Sequence, residues 1–180
     1  MKLMTTLLIG ALALSSIVVA SADPLSNPWS VKVGAGWPMQ AAAKSDEGNT
    51  VLTAGLAYGL AKSNPSAPLM YSVYSDYAGG SNNGGHIYSY SLGLSARTFF
   101  SKPAGDTKNG CSPYAGIGVG AYAVDDSYNN NSKTVVNAGG KLFLGAEISG
   151  IYLVEVNYNW LPDCQGANPG YFGTQIGLRF

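Results

Sequence analysis

The chain has 180 residues with ten basic and ten acidic side chains, a formal net charge of zero, and only 11% charged residues. Ordinary soluble domains carry about 25% charged residues, so this chain is short of the groups that keep a surface wet. The even balance excludes strong electrostatic attraction to nucleic acid or anionic lipid.

The N-terminus has the parts of an export signal. Lys2 is a short positive region, "LLIGALALSSIVVA" an apolar core, and Ala20-Ser21-Ala22 a small-x-small cleavage site. This predicts a signal peptide over 1–22, cut before Asp23, and one domain over 23–180. The mature chain keeps nine basic and ten acidic residues. No apolar stretch after residue 22 approaches the roughly 20 residues a membrane-spanning helix needs.

From residue 29 the pattern has period two, the signature of strands. In "WSVKVGAGW" Trp29, Val31, Val33, Ala35 and Trp37 alternate with Ser30, Lys32, Gly34 and Gly36. "VLTAGLAYGL" puts Leu52, Ala54, Leu56, Tyr58 and Leu60 on one face, and "LMYSVYSDY" opposes Tyr71, Val73 and Tyr77 to Ser72, Tyr74 and Asp76. The fourth run, "IYSYSLGLSARTFF", opposes Tyr88, Tyr90, Leu92, Leu94 and Phe100 to Ser89, Ser91, Ser95 and Arg97. The fifth and sixth, "PYAGIGVGAYAV" and "VVNAGGKLFLGAEI", carry Ile117, Val119, Leu142 and Leu144 against glycines, Lys141 and Glu147. "IYLVEVNYNW" opposes Tyr152, Val154, Val156, Tyr158 and Trp160 to Glu155, Asn157 and Asn159. "YFGTQIGLRF" opposes Phe172, Ile176, Leu178 and Phe180 to Gly173, Gln175, Gly177 and Arg179.

These eight runs predict an all-β fold, an eight-stranded antiparallel up-and-down barrel. Residues 38–50, 78–86, 125–133 and 161–170 read as polar loops on one rim, and "SG" at 149–150 as a two-residue hairpin turn on the other. The segment 101–113 is long for its rim.

Face chemistry separates a soluble barrel from a membrane one. A soluble barrel points its apolar face inward and its charges outward. Here the polar face holds twelve of the 24 glycines and few charges, which suits a crowded lumen rather than a wet surface. Aromatics sharpen the point. Trp29 and Trp37, Tyr152 and Trp160, and Phe172 and Phe180 are each eight residues apart on the apolar face. Eight strand residues climb about 20 Å along a membrane normal at a tilt near 40°, the spacing of two interfacial girdles. Trp29, Trp37, Tyr152 and Trp160 are therefore expected to form a membrane girdle.

At this point the sequence resembles the small eight-stranded outer-membrane barrels of the OmpA, OmpX and OmpW-like class. "PYAGIGVGAY" (113–122) looks like a glycine-rich strand common there, and "YFGTQIGLRF" like their closing strand. The resemblance covers residues 29 to 180. It implies residence in the cell outer membrane, contact with its lipid, and recognition by the barrel-assembly machinery through Phe172, Ile176, Leu178 and Phe180. Unlike OmpA, no segment follows Phe180 in this sequence, so a wall-tethering role is not expected.

Lys32, Arg97, Lys141 and Arg179 fall on the lumen face with Asp76, Glu147 and Glu155. Charges in a narrow interior must pair, which predicts a salt-bridge network; Tyr74, Phe99, Tyr114, Tyr122 and Phe143 favour a filled interior, whereas the many glycines leave room for a void. The single histidine, His86, reads as a solvated loop residue; beside Ser81 or Ser89 it imitates the sites that the resemblance associates with lipid-modifying barrels, but no base and orienting group are assembled. No catalytic residue, cofactor or metal site is expected, one histidine and two distant cysteines being too few ligands. Cys111 and Cys164 fall on opposite rims, beyond the roughly 7 Å between Cα atoms that a disulfide allows. The leading expectation is a structural or surface-interaction protein of the outer membrane. The alternatives are a narrow channel for small or apolar solutes and a lipid-modifying enzyme.

Overall fold

The computed structural model describes residues 28–40, 48–62, 69–82, 85–100, 110–128, 131–164 and 168–180. The signal peptide expected over 1–22 lies outside the described residues, as do residues 41–47 of the expected loop 38–50.

The described residues form eight strands: β1 Trp29–Pro38, β2 Val51–Lys62, β3 Leu69–Asn82, β4 Gly85–Phe99, β5 Cys111–Tyr128, β6 Asn131–Ile148, β7 Tyr152–Trp160 and β8 Tyr171–Arg179. Each pairs with its sequence neighbour, and β1 pairs antiparallel with β8, so the sheet closes into a barrel. At the closure Trp29 N donates to Phe180 O at 3.0 Å and Phe180 N donates to Trp29 O at 2.9 Å. The terminal phenylalanine is thus the last rung of the ladder.

Following the partners from Trp29 through Tyr58, Val73, Leu94, Val119 and Gly140 to Trp160 circles the barrel. The row returns to β1 beside Gly170, whose carbonyl accepts from Met39 N at 3.0 Å. One circuit therefore climbs ten residues of β1 (Trp29 to Met39). With eight strands about 4.8 Å apart and about 3.3 Å per residue, that stagger tilts the strands by about 40°.

At the β6–β7 connection Ser149 and Gly150 have φ of 53° and 72°, and Ile151 N donates to Ile148 O at 3.1 Å. This is the two-residue type I′ geometry that matches strand twist. Lumen glycines mark where a neighbouring group occupies the space of a side chain. A Cβ at Gly116 would enter the Phe143 ring, and one at Gly93 would lie 2.8 Å from the Tyr74 ring. Gly116→Ala is expected to cost about 1–3 kcal/mol, the usual penalty of overpacking, read as a lower urea midpoint of the refolded barrel.

The structure corrects the loops at the rim opposite the termini. Residues 78–82 and 85–86 belong to β3 and β4, and 125–128 and 131–133 to β5 and β6, so these expected loops are mostly strand. Glycine and asparagine content suggested turns, but cross-strand side chains hold the ladder. Tyr88 lies over Gly79, and Asp125 Oδ1 accepts from Ser132 Oγ and Thr134 Oγ1, both at 3.3 Å. His86 is correspondingly a strand residue of β4, paired with Ser81 and Ser127.

Candidate functional site: a sealed lumen inside an apolar belt

Alternation along each strand sends charge inward, and the stagger decides which charges meet. Lys32 on β1 reaches Glu155 on β7, its Nζ donating to Oε1 at 2.6 Å, while the Tyr114 hydroxyl donates to Oε2 at 3.1 Å. Lys141 Nζ donates to Asp76 Oδ2 at 2.7 Å and lies 3.7 Å from the Tyr74 ring centre, a cation–π contact on top of the ion pair. Arg179 Nη1 donates to Glu147 Oε2 at 2.7 Å. All six of these residues are buried. The seven expected lumen charges thus face inward, and six of them meet as three pairs.

Arg97 differs. Among the described residues it forms no ion pair. Its Nη2 and Nε donate to Met70 Sδ at 2.8 and 3.2 Å, and its guanidinium sits over Phe99 and Tyr114 at 5.4 and 5.2 Å. The expectation that every lumen charge pairs is corrected here: aromatic faces and a thioether surround this cation.

Neutral polar groups fill the space between the charged layers. Gln175 Nε2 donates to Thr53 Oγ1 at 3.2 Å, Asn159 Nδ2 to Asn157 Oδ1 at 2.8 Å, and the hydroxyls of Tyr74 and Tyr122 meet at 3.1 Å. Apolar side chains cluster toward both ends. Met70, Phe99, Tyr114, Phe143 and Leu153 pack at the rim bearing the termini. Val51, Ile87, Tyr122, Val124 and Tyr171 pack at the far rim with Leu161 and Cys164. The segment after β7 therefore folds into the mouth as a cork. Nothing in "LPDC" announces this, because burial there depends on neighbours far away in sequence.

Cys111 is exposed at the start of β5, and Cys164 is buried in the cork with its Sγ 3.6 Å from Lys133 O. The two stand at opposite ends of the barrel. Burial, helped by Asp126, pushes the Cys164 thiol up, so it stays protonated at neutral pH. A maleimide is expected to label folded protein once, at Cys111, and twice only after unfolding, as counted by mass spectrometry.

The outer wall is apolar over its middle. Val33, midway between Trp29 and Trp37, is 54% exposed, and its cross-strand neighbour Ile176, midway between Phe172 and Phe180, is 64% exposed. Trp29, Trp37, Tyr152 and Trp160 all lie exposed on this face. Trp29 packs edge-on against Tyr58 at 4.8 Å, adding to the lower girdle. Tyr77 and Tyr90, cross-strand partners 5.2 Å apart, add to the upper one. Water would punish this surface and lipid would not. Phe172, Ile176, Leu178 and Phe180 face outward together on the closing strand.

His86 stacks on Tyr88 with ring centres 4.7 Å apart. Ser81 shares its outward face, whereas Ser89 points into the lumen and donates to Ala78 O at 3.4 Å. The arrangement brings His86 to Ser81 and separates it from Ser89. Among the described residues no group of three or more metal-ligating side chains gathers.

No family model and no curated protein matches the sequence. Solved structures do match in fold. Neisserial surface protein A aligns with a TM-score of 0.59 at 12% identity, over 84% of this chain and 95% of that one. The outer membrane enzyme PagL gives a TM-score of 0.59 at 14% identity, over 84% and 98%. The N-terminal β-barrel domain of Pseudomonas aeruginosa OprF gives 0.51 at 12%, over 86% and 98%. The chain has the fold of the small eight-stranded outer-membrane β-barrels.

Proposed function

We propose that the chain is exported by its signal peptide to the outer membrane and serves there as a structural or surface-interaction barrel. The carrying observation is the filled interior of the described residues: three buried ion pairs and a cluster of buried apolar side chains toward each rim. A filled lumen leaves the outer wall and the far rim as the working surfaces. The wall suits outer-membrane lipid, and the overrunning β3–β4 and β5–β6 hairpins present polar groups beyond the upper girdle. The outward alignment of Phe172, Ile176, Leu178 and Phe180 supports capture by the barrel-assembly machinery through strand addition.

Single-channel recording of the refolded mature protein tests this reading. It is expected to show no steady current, with the folded state checked by gel mobility before and after heating. A steady, solute-dependent current from folded protein would replace the scaffold with a conduit. The reading also gives His86 no catalytic role, so His86→Ala is expected to leave the lipid composition of expressing cells unchanged by mass spectrometry. A lost lipid modification with an intact barrel would instead establish an enzyme.

A further inference from the structure

Lys32, Lys141 and Arg179 each hold a carboxylate, and Arg97 holds none among the described residues. A fourth carboxylate, Asp126, is buried toward the far rim, but around Arg97 the lumen sets Lys32, Arg97 and Arg179 against Glu147 and Glu155. The surplus is local. Met70 Sδ accepts from Arg97 and, at 3.6 Å, from Arg179 Nη2 as well, so two guanidiniums converge on one thioether. Sulfur of this kind is a weak acceptor, and like charges in a poorly polarisable interior repel more strongly than in water. Three cations sharing two carboxylates, with none in contact with Arg97, call for a further anion.

There is space for one. A cavity of about 30 Å³ is lined by Ser30, Lys32, Ser72, Ser95, Arg97 and Arg179, among others. One water needs about 10–15 Å³, so the space suits a monatomic ion with one water at most and is small for a tetrahedral oxyanion. Three hydroxyl donors stand with the cations. Glu155 also lines it, but both its oxygens are already engaged by Lys32 and Tyr114. We propose that this cavity binds a small monovalent anion of the chloride type, held by the Arg97 guanidinium and the serine hydroxyls.

The geometry explains why the surplus charge is tolerated. With the anion present, Arg97 gains a charge-assisted partner in place of a thioether. The site stands independently of what the barrel does at its surface.

Crystals of the wild-type barrel grown in bromide in place of chloride, with data collected at the bromine absorption edge, test it. The expected result is an anomalous peak in the cavity beside Arg97. Wild-type crystals with no peak there would overturn the proposal. Arg97→Met is expected to abolish the peak while the heat-shifted gel mobility of a folded barrel is kept; a peak that survives would remove Arg97 from the site. If that variant fails to fold, Ser95→Ala is expected to lower the peak's occupancy several-fold. An unchanged occupancy would take the hydroxyl out of the site and overturn the proposal as stated.

Discussion

Glu155→Gln is expected to destabilise the refolded barrel by about 3–5 kcal/mol, the usual consequence of stranding one partner of a buried ion pair. Glu155 is 2% exposed and takes hydrogen bonds from both Lys32 and Tyr114. The neutral amide keeps the shape but leaves the Lys32 ammonium, itself buried, facing a dipole. Removing both charges is a different experiment. Lys32→Met with Glu155→Leu takes away the stranded ion as well as its partner, so it is expected to recover most of the loss. Urea titration in lipid vesicles, followed by tryptophan fluorescence, measures both. A single substitution costing under about 1 kcal/mol would mean that water reaches the pair, since exposed pairs contribute no more than that, and the sealed interior would be wrong.

The second large effect lies on the outer wall. Val33→Arg is expected to cost about 2–4 kcal/mol in a bilayer, because Val33 stands midway between the girdles and an arginine there has no water to reach. On an ordinary water-facing surface the same change stays within about 0.5 kcal/mol. Ser81→Arg is the matching control, exposed on the same outer wall but beyond the upper girdle, on the overrunning part of β3. It is expected to stay within that smaller range. Equal costs at the two positions would place both in the same solvent.

The part of the fold between the girdles was legible because a wall apolar outside and polar inside alternates strictly. Val31, Val33 and Ala35 had to face one way and Lys32 and Gly34 the other, and the girdle aromatics marked both ends of the band. Above the band that constraint lapses. Residues 79–82 and 125–128 read as loops because the ladder there rests on Tyr88 over Gly79 and on Asp125 with Ser132 and Thr134, contacts that no periodicity reveals. The lumen was legible as a list of charges but not as pairs. Lys32 and Glu155 are 123 residues apart, and only the ten-residue stagger puts them face to face. Leu161 and Cys164 sit in a short polar-looking connection whose burial is decided by Tyr122, Val124 and Tyr171. The lone position of Arg97 was hidden for the same reason, since pairing depends on register rather than on face.

The central claim is that this barrel wears its apolar face outward into lipid, and its tryptophans report on that directly. All three, Trp29, Trp37 and Trp160, are on the outer wall, 41%, 43% and 63% exposed. Fluorescence of the mature protein refolded into vesicles of brominated lipids, with the bromine placed at successive depths, measures their surroundings. Strong quenching is expected, greatest for bromines near the interfaces and weaker for those at the bilayer centre. Tryptophans that brominated lipid cannot quench, in a protein that folds in buffer without lipid or detergent, would contradict it.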